Sequence, residues 1–139
     1  EGILRGGNMT MLAMLCGTPY FLEDDSIEDT ILFLEDIGEA PYKLDRILQQ
    51  WRLSGLLSRI KGLMLGTFTD CEGDEDEADY DIGYEVLRYM EENRKRHLPD
   101  PFVCYVPTGH GTPHQTLPLG GHVHFRYISN TIVLSPYTK

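Results

Sequence analysis

The feature that most constrains this chain is an unbroken apolar run that ends on a carboxylate. Residues 31–34 read I-L-F-L, the pattern of a strand covered on both faces, and Glu35 stops the run. A carboxylate at the end of a hidden strand needs a partner or water, because burying it unpaired is very unfavourable. Gly38 then breaks the strand, and Pro41 suits the first turn of a helix. Residues 31–46 therefore read as strand, loop and helix, the unit whose strand ends carry the chemistry of α/β proteins. Two readings stay open for Glu35: a solvated strand end or helix-start acid, or a functional group.

The same grammar recurs along the chain. Residues 1–5 read as a short strand, and Gly6-Gly7-Asn8 as a turn in which Asn8 caps a helix over 9–15. Two glycines before a capped helix leave backbone N–H groups pointing outward, which suits an anion or carboxylate but is equally explained by turn chemistry. After Pro41, Tyr42, Ile47, Leu48 and Trp51 recur at helical spacing until Gly55, with Tyr42 and Trp51 read as core. Asp45 and Arg46 fall on the polar side, as an ion pair or as ligand contacts. Residues 60–68 form a second buried strand, with glycines where something packs close. Residues 82–98 are the clearest helix. Ile82, Val86, Leu87 and Met90 make its apolar stripe, and the basic residues 94–97 complement its dipole before Pro99. A third strand over 102–106 runs into P-T-G-H-G at 107–111. A hairpin follows, Val123, Phe125 and Tyr127 alternating with His122, His124 and Arg126, turning near Ser129-Asn130 and returning over 131–134.

Length and charge narrow the possibilities. At 139 residues the chain is one domain, long enough to bury about two thirds of its unfolded surface. Glu1 is not a start methionine and structured-looking sequence begins at once, so the chain reads as a piece of a longer protein. Cys16, Cys71 and Cys104 form neither a disulfide framework nor a zinc ribbon, and a reducing, cytoplasmic setting fits them best. The net charge is -10, but eight of the 22 acids lie in residues 70–81, which leaves the remainder nearly neutral. No basic stripe is available for a nucleic acid, and no apolar run approaches a membrane span. The acidic stretch lacks the glycine placement and terminal Glu of a calcium loop, so it reads as solvated and mobile, away from Glu35 and His110.

Glu35 and His110 each follow a buried strand and begin a glycine-containing loop. Were those strands parallel neighbours, a carboxylate would stand beside an imidazole, the orienting half of a nucleophilic triad. The nucleophile is missing: none of Ser26, Ser54, Ser58, Ser129 and Ser135 sits in a G-x-S-x-G elbow, and Cys104 reads as core. A rival constellation is a metal site built from His110, His114, His122 and His124 with Asp36 and Glu39. Pro113 argues against the helix that H-x-x-x-H requires, and His-x-His on a strand usually marks a polar face, so no metal or other cofactor is expected.

With these residues in place, the chain resembles the C-terminal domain of the L,D-carboxypeptidase family, serine peptidases that trim murein tetrapeptides. The resemblance rests on G-G-N at 6–8, L-C-G-T-P-Y at 15–20, L-F-L-E-D-I-G-E-A-P-Y-K-L-D-R-I-L at 32–48, L-M-L-G-T-F at 63–68, G-H at 109–110 and L-P-L-G-G at 117–121. It implies an α/β fold, a three-layer β/β/α C-terminal domain with mixed sheets and about three helices. It also implies that Glu35 orients His110, that His110 acts as general base and then acid, and that the serine comes from an N-terminal domain of the same polypeptide. This chain alone would then be inactive. A muropeptide substrate, a homodimer and a cytoplasmic location follow from the same resemblance, with Gly6, Gly7 and Asn8 as candidate substrate contacts. The alternatives are a microcin C resistance-type hydrolase of the same architecture and a ligand-binding domain without turnover.

Overall fold

The computed structural model describes residues 1–22, 26–73, 80–92, 99, 101–128 and 131–136. Its elements are β1 (Gly2–Asn8), α1 (Met9–Met14), a 3-10 turn (Ile27–Asp29), β2 (Thr30–Ile37), α2 (Pro41–Leu53), α3 (Leu56–Arg59), β3 (Gly62–Thr69), α4 (Ile82–Glu92), β4 (Phe102–Val103), β5 (His122–Ile128) and β6 (Thr131–Pro136). One mixed sheet has the order β4-β3-β2-β1-β5-β6. The first four strands are mutually parallel, and β5 and β6 add an antiparallel hairpin beside β1. This is the α/β class expected. The described helices number four, the single turn α3 being the addition to the three read from the sequence.

Side-chain alternation along β2 explains why the sheet is covered on both faces. Leu32 and Leu34 point to one side and pack with Leu63 and Leu65 of β3, Leu44, Leu48 and Trp51 of α2, and Ile82 and Val86 of α4. Ile31 and Phe33 point to the other and pack with Leu4, Met64 and Val123, with Val106, Leu117 and Phe125 against them. Strand β5 touches β1 through only two register pairs, and its Val123 and Phe125 close over this second face. Helices, parallel sheet and curled hairpin thus form three layers. Fully burying one Leu or Trp side chain here contributes roughly 1.5–3 kcal/mol, so the two clusters dominate stability.

Helix α2 starts at Pro41, whose missing N–H is no loss in a first turn, and ends where Gly55 adopts φ 81. Trp51 is buried as expected, its indole N–H donating to Cys16 Sγ at 3.4 Å. Tyr42 is not core: it is 48% exposed, and the Arg46 guanidinium lies over its ring, 4.9 Å from the centroid. One helical turn separates the two residues, so both lie on the solvent face. Leu87 is likewise exposed, being on the outer side of α4 from Val86. The extension of α4 over 93–98 and the turn at Ser129-Asn130 lie outside the described residues.

Two further expectations change at the sheet's edges. Gly6 and Gly7 are not a turn; they end β1, with Gly6 opposite Phe33 and Gly7 opposite Leu34. Gly6 has φ 129, and a Cβ there would stand 1.9 Å from the Phe33 carbonyl oxygen, so only glycine lets the strands approach. The third strand is two residues long, not five, because Tyr105 takes φ 60 and interrupts the ladder before Val106 rejoins the β3 edge.

Candidate active site

Strand β2 runs through Glu35 and Asp36 before it ends, and both carboxylates are buried. They face opposite ways. By the period of two, Asp36 shares the helix side with Leu34, and Glu35 shares the far side with Phe33. Asp36 closes the start of α1: its carboxylate accepts from Asn8 Nδ2 at 2.6 Å, from the Thr10 N–H at 2.9 Å and from the Ile37 N–H at 2.9 Å. Asn8 Oδ1 in turn accepts from the Met11 N–H at 2.9 Å. These bonds compensate the Asp36 charge without any ligand.

Glu35 reaches His110. Its Oε2 lies 2.7 Å from His110 Nδ1. The strands they follow are parallel but not neighbours, because β3 lies between β2 and β4. The pair meets because the loop after β4 crosses β3. Val106 N–H donates to the Leu65 carbonyl and Thr67 N–H to the Thr108 carbonyl, so the loop continues along the β3 edge. At this point the β2–β3 register slips, Leu34 opposing Leu65 and Asp36 opposing Phe68, which sets Gly66 and Thr67 against Glu35 alone. A Cβ on Gly66 would stand 2.3 Å from the Thr108 carbonyl oxygen, and one on Gly109 2.8 Å from Glu35 Oε2. Gly109 also has φ 127. The crossing is therefore open only to glycine at both positions, which is what packs close to the glycines of the 60–68 strand.

The loop is tied back on itself. Gln115 N–H donates to the Pro107 carbonyl at 2.8 Å, the Thr108 hydroxyl donates to the Gln115 carbonyl at 2.9 Å, and His114 Nδ1 donates to the Gly109 carbonyl at 2.8 Å. His110 stands at its tip with a side chain 49% exposed, against 8% for Glu35. A carboxylate oxygen accepts, so the shared proton belongs to Nδ1 and the other ring nitrogen, Nε2, is left to act. An open hollow of ≈ 460 Å³ lies here, bordered by Gly7, Phe33, Glu35, His110, His114 and Leu117. Of the three residues at the end of β1, Gly7 borders it, whereas Asn8 is committed to Asp36 and to α1.

No serine or cysteine is among the described residues bordering the hollow. Cys71 and Cys104 are not activated elsewhere, since burial pushes both thiols up from the usual value and keeps them protonated. The histidine-rich run separates: His110 turns to Glu35, His114 to Gly109, and His122 and His124 ride on β5. Among the described residues no three His, Cys, Asp or Glu side chains gather as a metal site would need. Glu72 and Asp81, described acids of the 70–81 stretch, border a separate cavity of ≈ 350 Å³ with Tyr80 and Tyr105. Residues 74–79 lie outside the described residues.

Sequence comparison matches residues 1–125 to the family described as the LD-carboxypeptidase C-terminal domain. The chain belongs to that family. This LD-carboxypeptidase domain is 34% identical over 120 residues to the murein tetrapeptide carboxypeptidase of Pseudomonas aeruginosa, covering 86% of this chain and 36% of the relative. A relative in Synechocystis sp. is 37% identical over 120 residues, again 86% of this chain and 37% of the relative. Among solved structures, the muramoyltetrapeptide carboxypeptidase of Oxalobacter formigenes superposes with TM-score 0.75 at 38% identity, over 96% of this chain and 43% of that one. The microcin C7 self-immunity protein MccF superposes with TM-score 0.64 at 24% identity, over 86% of this chain and 33% of that one, a likeness of fold alone. The domain thus spans well under half the length of these relatives. Among its described residues no helix is long and apolar enough to cross a membrane.

Proposed function

We propose that this domain supplies the glutamate and histidine of a Ser-His-Glu triad in a carboxypeptidase that releases terminal D-alanine from murein tetrapeptides. One observation carries the reading: Glu35 Oε2 is 2.7 Å from His110 Nδ1, and the ring stands over an open hollow. In this reading the serine comes from a separate N-terminal domain; the described border of the hollow includes no serine or cysteine. His110 Nε2 takes the serine hydroxyl proton as the oxygen attacks the carbonyl of the L,D bond. Glu35 holds the ring in the Nδ1–H tautomer and stabilises the imidazolium that forms. His110 then gives that proton to the departing D-alanine amine, and a water repeats the cycle on the acyl-enzyme.

Gly7 backs the hollow, and its missing side chain leaves open space there, with no atom within 4 Å of a Cβ position. That room suits a peptide chain passing over the end of β1. The murein substrate is favoured over the microcin type because the relatives with murein or muramoyl names share 28%, 34% and 38% identity, against 24% for MccF. All three cysteines are free, which fits a cytoplasmic enzyme; the homodimer common in the family is the expected state of the complete protein. On this reading the domain alone, with no serine or cysteine among the described residues bordering the hollow, is expected to turn nothing over.

The test is D-alanine release from a murein tetrapeptide by the complete protein and its His110→Ala variant. The expected loss in kcat is about 10⁴-fold. Release by the variant within tenfold of wild type would remove the mechanism.

A further inference from the structure

His114 borders the same hollow as His110, four residues later in the loop. Its Nδ1 lies 2.8 Å from the Gly109 carbonyl oxygen. A carbonyl only accepts, so that nitrogen carries a hydrogen, and Nε2 is the ring atom left over. The two histidines are therefore anchored in the same sense, Nδ1 spent on the protein and Nε2 unspent. They differ in partner. Glu35 is a carboxylate already committed to His110, whereas the Gly109 carbonyl is neutral and leaves His114 without a counter-charge from the loop.

A peptidase that removes the last residue of a chain must recognise a free carboxylate beside the scissile bond. The described border of the hollow includes neither Lys nor Arg, and its single acid is Glu35. His114 is then its one group able to carry a positive charge and not engaged with Glu35. We propose that His114 is a specificity-determining residue whose Nε2–H pairs with the substrate's terminal carboxylate. This rests on reading the hollow as a carboxypeptidase site. With Nδ1–H held by Gly109, the pairing form of the ring is the imidazolium, whose Nε2–H makes a charge-assisted hydrogen bond to a carboxylate. A charged donor there orients the terminal residue while His110 serves the scissile bond.

The experiment compares His114→Asn with wild type in the complete protein, on a murein tetrapeptide and on the same peptide with its terminal carboxylate replaced by an amide. Asn places an amide N–H near the position of Nδ1 and so preserves the bond to Gly109, but has nothing at Nε2. The expected result is a KM for the acid raised about tenfold or more with kcat within about twofold, and a preference for acid over amide reduced by the same factor. An unchanged KM, or an undiminished preference, overturns the assignment. So does a fall in kcat alone, which is the signature of a loop-positioning role. As a second readout, the His114 imidazole resonances of the wild-type protein should shift on adding the acid peptide and stay still with the amide; equal shifts overturn the assignment. Absence of any D-alanine release by wild type would instead overturn the carboxypeptidase reading itself, and this inference with it.

Discussion

Glu35 Oε2 and His110 Nδ1 meet at 2.7 Å across 75 residues of chain, one side chain nearly sealed and the other half open. That asymmetry supports the proposed triad, in which the buried carboxylate orients the half-exposed ring. It predicts that Glu35→Gln, in the complete protein, lowers kcat by about 10²- to 10⁴-fold while leaving KM little changed, because the amide can select the wrong ring tautomer. A steady-state assay of D-alanine release checks it, and a loss under threefold would show that Glu35 does not orient His110.

The crossing of the loop over β3 depends on two missing side chains. Gly66→Ala would drive a Cβ to 2.3 Å from the Thr108 oxygen, and Gly109→Ala one to 2.8 Å from Glu35 Oε2 at φ 127. Each should destabilise the fold by roughly 1–3 kcal/mol and displace His110. Urea unfolding of the two variants reads the first effect, and activity of the complete protein reads the second. Wild-type midpoints would contradict the close approach.

Asp36 is 1% exposed and accepts three hydrogen bonds, two of them from Asn8 and Thr10 at the start of α1. Asp36→Ala removes a cap and leaves the half-buried Asn8 and Thr10 donors without their acceptor, with an expected cost of about 1–3 kcal/mol. Asp36→Asn keeps an oxygen for part of the set and should cost less. Thermal or urea melts of the two variants rank them, and an Asn variant worse than Ala would refute this account of the site.

Tyr80 gives the chain an alkaline limit. Burial pushes its phenol up from the usual value, with the Asp45 carboxylate adding to the shift. A group whose folded value is raised contributes stability that is fully present below the unfolded value of about 10 and is lost as pH rises above it. Tyr80→Phe should therefore flatten the fall in stability above about pH 10. Equal slopes for wild type and variant, followed by urea unfolding from pH 8 to 11, would show that another group sets the limit.

Much of the scaffold was legible because local pattern and global burial agree there. The apolar run before Glu35, the helix opened by Pro41 and the stripe of Ile82 and Val86 each carry enough periodicity to fix their element and its buried face. Tyr42 and Leu87 misled for one reason: both are apolar at near-helical spacing, yet sit just past the edge of the buried stripe. The sequence leaves the partners of Asp36, Glu39 and Arg46 open among a metal set, an ion pair with Asp45 and ligand contacts. The folded chain gives them Asn8 and Thr10, Lys43 and Tyr42 respectively.

The sequence by itself determined the alternation of strands and helices and the family, and it singled out the two residues that meet at 2.7 Å. A hidden strand ending on an acid and a Gly-His after another strand are local facts, readable because hydrophobic period and glycine chemistry are short-ranged. Only the tertiary structure decided how they meet. The partners are separated by β3, and their contact comes from a register slip at Gly66, a loop crossing and a φ of 127 at Gly109. Those are long-range steric solutions in which backbone meets backbone, and such contacts leave in the sequence only the absence of a side chain.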